Sequence, residues 1–553
     1  MYISELIDMS IKNKKPDLVF KNANIINVFT HEIIKGDVAI HDGIVVGIGN
    51  YTGEKNIDVN NKYISPGFID AHVHIESSML SPKEFAKAIV PRGTTTIIAD
   101  PHEISNVCGL DGIEYILSST KKLPLNTYVM LPSCVPSTNF ENSGAKLLAK
   151  DLEKYINNPR VLGLGEMMNY PGVIYKDKDV MDKLNLARKN KKFIDGHAPL
   201  LTGKELCAYV CGGIKTDHEC SNVDEALEKI SMGMSILVRE GTGAKNIEGL
   251  VKAINPYNLN RFAFCTDDIH ISDIAKDGTI LNCIRKSVKL GLSLEDALTM
   301  ATINSAKIYN LKDKGAIAPN YVADIIVCDK SLDNLYLVLK DGLIVAKDGE
   351  PTFTGKNIDI SEVSNTVHIK EVTPQDFNLE FIEGMPVIEA VKGSLITKKA
   401  YPTTKDGLSL CAVVERHKAT GNVGKAFIKN IDIQNGAIAQ TIGHDSHNIT
   451  VLGDNPTDMA LAVNSLGSNG GICIVHNGKV ISYMELEVAG LMSNKSYSEV
   501  LAMDNDIVEK AKIVSKHGSS TILMLLSFLS LVVIPELKLN DSGLFDVSNW
   551  KYI

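Results

Sequence analysis

The chain has 553 residues, a formal net charge of −9 at pH 7, 44% hydrophobic and 22% charged residues, and one Trp. A length several times the ~100–150 residues of a typical domain predicts at least two domains, and the acidic balance excludes a nucleic-acid surface, which needs a basic face. Residues 1–16 are charged and amphipathic with no apolar signal core, and the longest apolar run, 521–534, is closed by Pro535 well short of the ~20 residues of a bilayer span.

That run reads as core, and the chain as a cytoplasmic protein with no membrane partner. Ten cysteines occur without a CxxC pair. They read as reduced, buried, structural thiols, with Cys207 and Cys211 on one helix face.

Between about residues 17 and 59, short β-type runs alternate with Asn, Asp and Gly turns, and Asp42-Gly43 marks a hairpin. From Ser65 the pattern changes: apolar strands alternate with helical stretches, and each strand ends in polar or ionisable residues. The strands read as 68–74, 94–102, 126–132, 161–166, 193–197, 213–218, 235–240 and 261–268. Eight such units over about 240 residues predict an α/β fold, a (β/α)₈ TIM-type barrel whose chemistry sits at the C-terminal strand ends. A doubly wound open sheet is the alternative, but no Gly-rich phosphate loop follows the first strand.

After the barrel, residues 293–310 read as a helix capped by Ser293 with Asp296 at the third helical position. Two further β-type stretches, 321–328 and 335–346, contain the turn Asp341-Gly342. β runs on both flanks of the barrel predict a small β-sandwich built from residues 1–64 and 313–350 around a barrel of 65–312. Residues 351–373 read as a polar linker, and 374–553 as an additional C-terminal α+β domain. Its Gly-rich segment 467–471 lacks phosphate-loop spacing and reads as a plain loop.

The strand ends carry His72 and His74, His102, Glu166, His197, His218 with Glu219, and Asp267 with Asp268. In a strand, residues i and i+2 face the same way, so His72 and His74 present their imidazoles together, a half-site for a divalent ion. Ordinary strand histidines with local hydrogen bonds are the bland alternative. Imidazole and carboxylate donors at six separate strand ends favour a site for Zn²⁺, Mn²⁺ or Fe²⁺.

At this point the motifs resemble a known family. PGFIDAHVHIE, single histidines after strands five and six and an Asp at strand eight resemble the amidohydrolase superfamily. HVHIESSML, ADPHEI, GLGEMMNYPGV, DGHAP, CTDD, GAIAQTIGHDSHN and IPELKLNDSGLFD are similar to bacterial adenine deaminases over nearly the whole chain. The resemblance implies hydrolysis of adenine to hypoxanthine and ammonia in purine salvage, with a divalent metal, Mn²⁺ first and Fe²⁺ or Zn²⁺ as alternatives, in a binuclear site.

By motif it implies that His72, His74, Glu166, His197, His218 and Asp267 bind metal, and that Asp267, Glu166 and His218 are catalytic, Asp267 as proton shuttle. Glu166 is either a ligand or the acid for purine N1, with Glu219 as the reserve acid and Asp268 as structural neighbour of Asp267. No lysine ends strand four, which argues against a carbamylated-lysine bridge. His102 is open between site residue and a histidine held by a neighbouring carboxylate. His444 and His447 read as loop caps, with a lid or an extra metal site as the other readings. Arg239 reads as structural with a route to substrate, and Met167-Met168 as core, with a purine-pocket wall as the other reading. The expected partner is small-molecule adenine, in a homodimer. The competing functions are another amidohydrolase acting on a cyclic amide or amidine, and a non-catalytic scaffold, which the full donor set disfavours.

Overall fold

The apolar run Phe68–His74 forms the first barrel strand, β1, in a computed structural model that describes residues 3–391, 396–515 and 519–553. Met1 and Tyr2 of the N-terminal segment lie outside the described residues. Every residue of β1 is buried, as are those of β2 (Thr94–Ala99), the pattern of strands covered on both faces. β3 (Asn126–Leu131), β4 (Val161–Met167) and β5 (Phe193–Gly196) follow, and β1 to β5 pair in parallel in that order. β6 (Thr216–Asp217), β7 (Ser235–Arg239) and β8 (Phe262–Cys265) form a second parallel set.

Two junctions join the sets into a closed ring. The Lys215 N–H donates to Ile194 O of β5 at 3.1 Å. At the other junction, β8 continues into Asp267–Asp268, which leaves β7 and pairs with Val73 and His74 of β1. The switch is made at Asp267, whose φ of 57° lies in the left-handed region. A non-glycine residue there costs about 1–3 kcal/mol and persists only where its surroundings hold it. Each barrel side chain such as Phe68, Ile97 or Phe264, fully buried, contributes ~1.5–3 kcal/mol against that cost.

Strands from both flanks of the barrel share one nine-stranded sheet. Ile325–Cys328 pairs with Tyr63–Pro66, the strand that leads directly into β1, and Tyr63–Pro66 pairs in turn with Leu18–Asn27. The stretch read as a linker has one short turn, Ser361–Val363, yet Val363, Val367 and Val372 are buried, so it is packed against the body. Beyond it lies an eight-stranded sheet ending in Lys479–Glu485, followed by the helix Tyr497–Val514. This unit is bonded to the barrel side: Ser493 N–H donates to Met79 O at 2.9 Å and Tyr497 N–H to Glu84 at 3.0 Å.

Three expectations need correction here. The helix expected over 293–310 is capped by Ser293, whose hydroxyl accepts from Asp296 N–H at 3.0 Å, but a π-turn at Met300–Asn304 interrupts it; periodicity cannot show such a bulge. Cys207 and Cys211 are exposed on the helix Gly203–Cys211, not buried. The run 521–534 is core for the most part: Ile522, Leu526, Leu529, Leu531 and Val532 are buried, whereas Val533 and Ile534 are half-buried and line, with Leu531, the cavity described below.

Candidate metal centre and active site

Glu166, near the end of β4, sits among four histidines brought from three strand ends. Its Oε1 lies 3.2 Å from His74 Nε2 and 3.8 Å from His72 Nε2, both on β1. Its Oε2 lies 2.6 Å from His197 Nδ1, just past β5, and 3.1 Å from His218 Nε2, just past β6. Asp267 Oδ1 completes the set at 3.0 Å from His74 Nε2 and 3.6 Å from His72 Nε2. The structure thus brings together all six residues the sequence proposed as ligands.

Surrounding groups hold these side chains in place. Asp100 accepts from Glu166 N–H at 2.9 Å, while His74 Nδ1 lies 2.8 Å from Asp100 O. Gly165 makes the first bond feasible, since a Cβ there would meet Asp100 Oδ2 at 1.9 Å. His72 Nδ1 faces Asp195 at 3.5 Å, and Asp217 accepts from Ala198 N–H at 2.8 Å beside His197. Partners of this kind orient imidazoles and raise their basicity.

Charge is concentrated and buried. Burial would raise the Glu166 carboxyl, but His218 and His197 hold it well below the usual carboxylate range. Asp267 is likewise held low by Arg239, His72 and His74 against its burial. Burial opposes a proton on His72, yet Asp195 and Asp267 raise it to about 10. His197 is raised to about 9, Glu219 and Glu166 outweighing its burial. Carboxylates that invite positive charge beside imidazoles within reach of one another suit a divalent cation. His72, His74 and Asp267 form one group of donors within 4.8 Å, and His72, Glu166 and His218 another.

The remaining sequence candidates extend this set. His102 begins the helix His102–Cys108 rather than ending a strand; its Nδ1 lies 3.4 Å from Glu166 Oε1 and its Nε2 3.2 Å from Glu103 Oε1. His447 caps its own loop, its Nδ1 accepting from Gly443 N–H at 3.1 Å, but neither His444 nor His447 is remote from the barrel. Both reach Glu103, His444 Nδ1 at 2.6 Å, and the His444 ring stacks on Phe528 with centroids 4.4 Å apart. Arg239 is paired with Glu219 at 2.5 Å and with Asp267, and Ser77 donates to Asp268. Met167 is core, while Met168 lines the cavity.

The cavity opens over Glu166 and Asp267, with Glu219, Arg239 and His197 along its polar side. Phe528, Leu531, Val533 and Ile534 from the C-terminal unit form an apolar wall, and His444 and Asp445 line the cavity with them. Sequence reasoning did not single out Asp195, Asp100, Glu103, Asp445 or this wall. Asp100 and Glu103 stand in the ADPHEI motif beside His102, a signal that could have found them; the apolar wall has no such signature.

A barrel with histidine and carboxylate donors at its C-terminal strand ends defines a metal-dependent hydrolase, and the amidohydrolase family matches residues 63–372. The adenine deaminase C-terminal domain matches residues 389–551. The chain belongs to the adenine deaminase family. It is 47% identical to an adenine deaminase of Clostridium acetobutylicum, covering 100% of both chains, and 43% identical to adenine deaminase 2 of Carboxydothermus hydrogenoformans, covering 100% of this chain and 99% of that one. An adenine deaminase of Thermosipho africanus is 44% identical over 100% of this chain and 99% of its own. No helix among the described residues is long and apolar enough to cross a membrane.

Proposed function

We propose that the chain hydrolyses adenine to hypoxanthine and ammonia, a step of purine salvage. The observation that carries this reading is Glu166 among four histidines beneath a cavity closed by the C-terminal unit, in a chain whose full-length relatives are adenine deaminases. His72, His74, Glu166, His197, His218 and Asp267 would hold two divalent ions, Mn²⁺ by preference and Fe²⁺ or Zn²⁺ as alternatives, since mixed imidazole and carboxylate donors suit all three. Bound there, the metal lowers the pKa of water from ~16 toward ~7, which supplies hydroxide at neutral pH.

The chain's own groups do the rest. Asp267, kept ionised by Arg239, takes the second water proton, from the hydroxyl that attack leaves on C6, and delivers it to the 6-amino nitrogen, which leaves as ammonia. Both Glu166 oxygens face imidazoles, so Glu166 acts as ligand. That leaves Glu219, which lines the cavity 3.7 Å from both His197 and His218 and pairs with Arg239, to take one proton of the attacking water and pass it to purine N1 as charge builds there. His218 acts beside it at the reacting end. The apolar wall excludes bulk water from the cavity.

The test is release of ammonia and hypoxanthine from adenine by protein of measured metal content. Turnover of a cyclic amide with none of adenine would overturn the reading in favour of another amidohydrolase reaction.

A further inference from the structure

We propose that Glu103 is a positioning residue that clamps the C-terminal cover over the cavity by holding His444 and His447 against the barrel. The inference rests on adenine being the substrate of that cavity.

Glu103 lies in the helix His102–Cys108, just past β2, and is only 2% exposed. Burying a carboxylate is costly unless its charge is paired and its oxygens are hydrogen-bonded. Three imidazoles do both here, and two of them come from the C-terminal unit. Oε1 lies 3.2 Å from His102 Nε2 and 2.6 Å from His444 Nδ1, and Oε2 meets His447 Nε2. The chain itself sets the direction of the last bond. Gly443 N–H donates to His447 Nδ1 at 3.1 Å, so the ring proton of His447 sits on Nε2 and Glu103 accepts it. With both oxygens engaged, Glu103 acts on a substrate through the rings it holds.

Those rings connect to the cover. His444 lines the cavity, and its ring stacks on Phe528 with centroids 4.4 Å apart. Its N–H donates to Ser527 O at 2.7 Å, and its O accepts from Ser530 Oγ at 3.0 Å. His447 has a φ of 55°, a left-handed conformation that a non-glycine residue keeps only where its surroundings hold it. The same segment has two separate anchors on the barrel side. Ser446 Oγ donates to Glu141 at 2.5 Å, and Asn448 Nδ2 donates to Asn142 O at 2.8 Å. Loss of the Glu103 contacts therefore releases the two rings and the wall they support, while the segment stays docked.

The test works the clamp from the C-terminal side. His447→Leu removes the donor to Glu103, whereas His447→Gln puts an N–H near the place of Nε2. His447→Leu should raise KM for adenine about 10–100-fold with kcat little changed, the worth of one hydrogen bond to a charged group. The kcat/KM ratio of adenosine to adenine should rise, metal per chain should match the parent, and amide exchange should quicken in 527–534 but not in β1. His447→Gln should recover most of the loss. Glu103→Gln, which also serves if His447→Leu folds poorly, should reproduce the leucine variant. The double variant should be no worse than the worse single one, as for residues that act as a unit. Parent-like KM and exchange in both Glu103→Gln and His447→Leu, an equal loss in His447→Gln, or a fall in metal per chain would overturn the assignment. A parent enzyme that releases no ammonia from adenine would instead overturn the proposed function, while the exchange comparison would still decide on the clamp.

Discussion

Arg239 grips one oxygen of Asp267 while the other oxygen of Asp267 faces His74 Nε2 at 3.0 Å. Asp267 also sits at the left-handed kink where strand pairing passes from β7 to β1. Its carboxylate is therefore oriented by backbone, by a cation and by an imidazole at once. If it moves the proton, Asp267→Asn should keep much of its metal but lose about 10²–10⁴-fold in kcat, the usual worth of a positioned acid–base group. If it only binds metal, metal and activity should fall in parallel and excess Mn²⁺ should restore both. Metal per chain and steady-state rate with and without Mn²⁺ separate these outcomes. Near-parent turnover would defeat both and move the role to Asp268.

His72 and His74 project from one strand toward Glu166 and Asp267. Replacing either with Ala removes a donor that its neighbours cannot supply, so bound metal and activity should disappear together. A His72→Ala protein with full metal and full turnover would sink the ligand assignment.

What the sequence reveals about this site follows from how each part is encoded. The HxH of β1, Glu166 near the end of β4 and the polar residues just past β5, β6 and β8 are legible because strand geometry fixes which way they point, and the structure gathers them into one cluster. The role of residues 444–447 is not legible, because it depends on a contact with Glu103 more than 300 positions away. The wall of Leu531, Val533 and Ile534 is hidden for a different reason. Apolar residues facing a ligand cavity have the same composition as apolar residues facing a core, and only tertiary placement distinguishes them.

Asp504 offers a test of stability away from the site. It is 4% exposed on the helix Tyr497–Val514, its Oδ2 has no hydrogen-bond partner among the described residues, and burial, aided by Asp273, raises its carboxyl to about 6. In the unfolded chain an Asp titrates near ~3.9, so between about pH 4 and 6 the folded state holds the extra proton. Stability from this group thus falls as pH rises through that window, and the loss is complete above it. Asp504→Asn removes the ionisation, so its thermal midpoint should match the parent near pH 4 and exceed it at pH 8, by up to ~3 kcal/mol of stability. A variant less stable than the parent at pH 8 would contradict this account.

The apolar wall makes a prediction about substrate size. Phe528 stacks on His444, and Leu531, Val533 and Ile534 continue the cover over the cavity. With C6 at the Glu166 end, the five-membered ring of the purine points toward this cover, and a ribose on N9 would have to occupy the same space. Packed side chains resist such insertion because they must leave their rotamers or shift backbone to admit it, at typically ~1–3 kcal/mol and occasionally more for a few added methylenes, and a ribose is larger than that. Adenosine should therefore be deaminated with a kcat/KM at least ~10²-fold below that of adenine, taking the upper part of that range as tenfold per 1.4 kcal/mol. Shortening the cover with Leu531→Ala and Ile534→Ala together should narrow the gap chiefly by raising the nucleoside's kcat/KM. Parallel assays on adenine and adenosine with both proteins decide it. Comparable kcat/KM on the two substrates in the parent enzyme would mean that the cover stands open in solution.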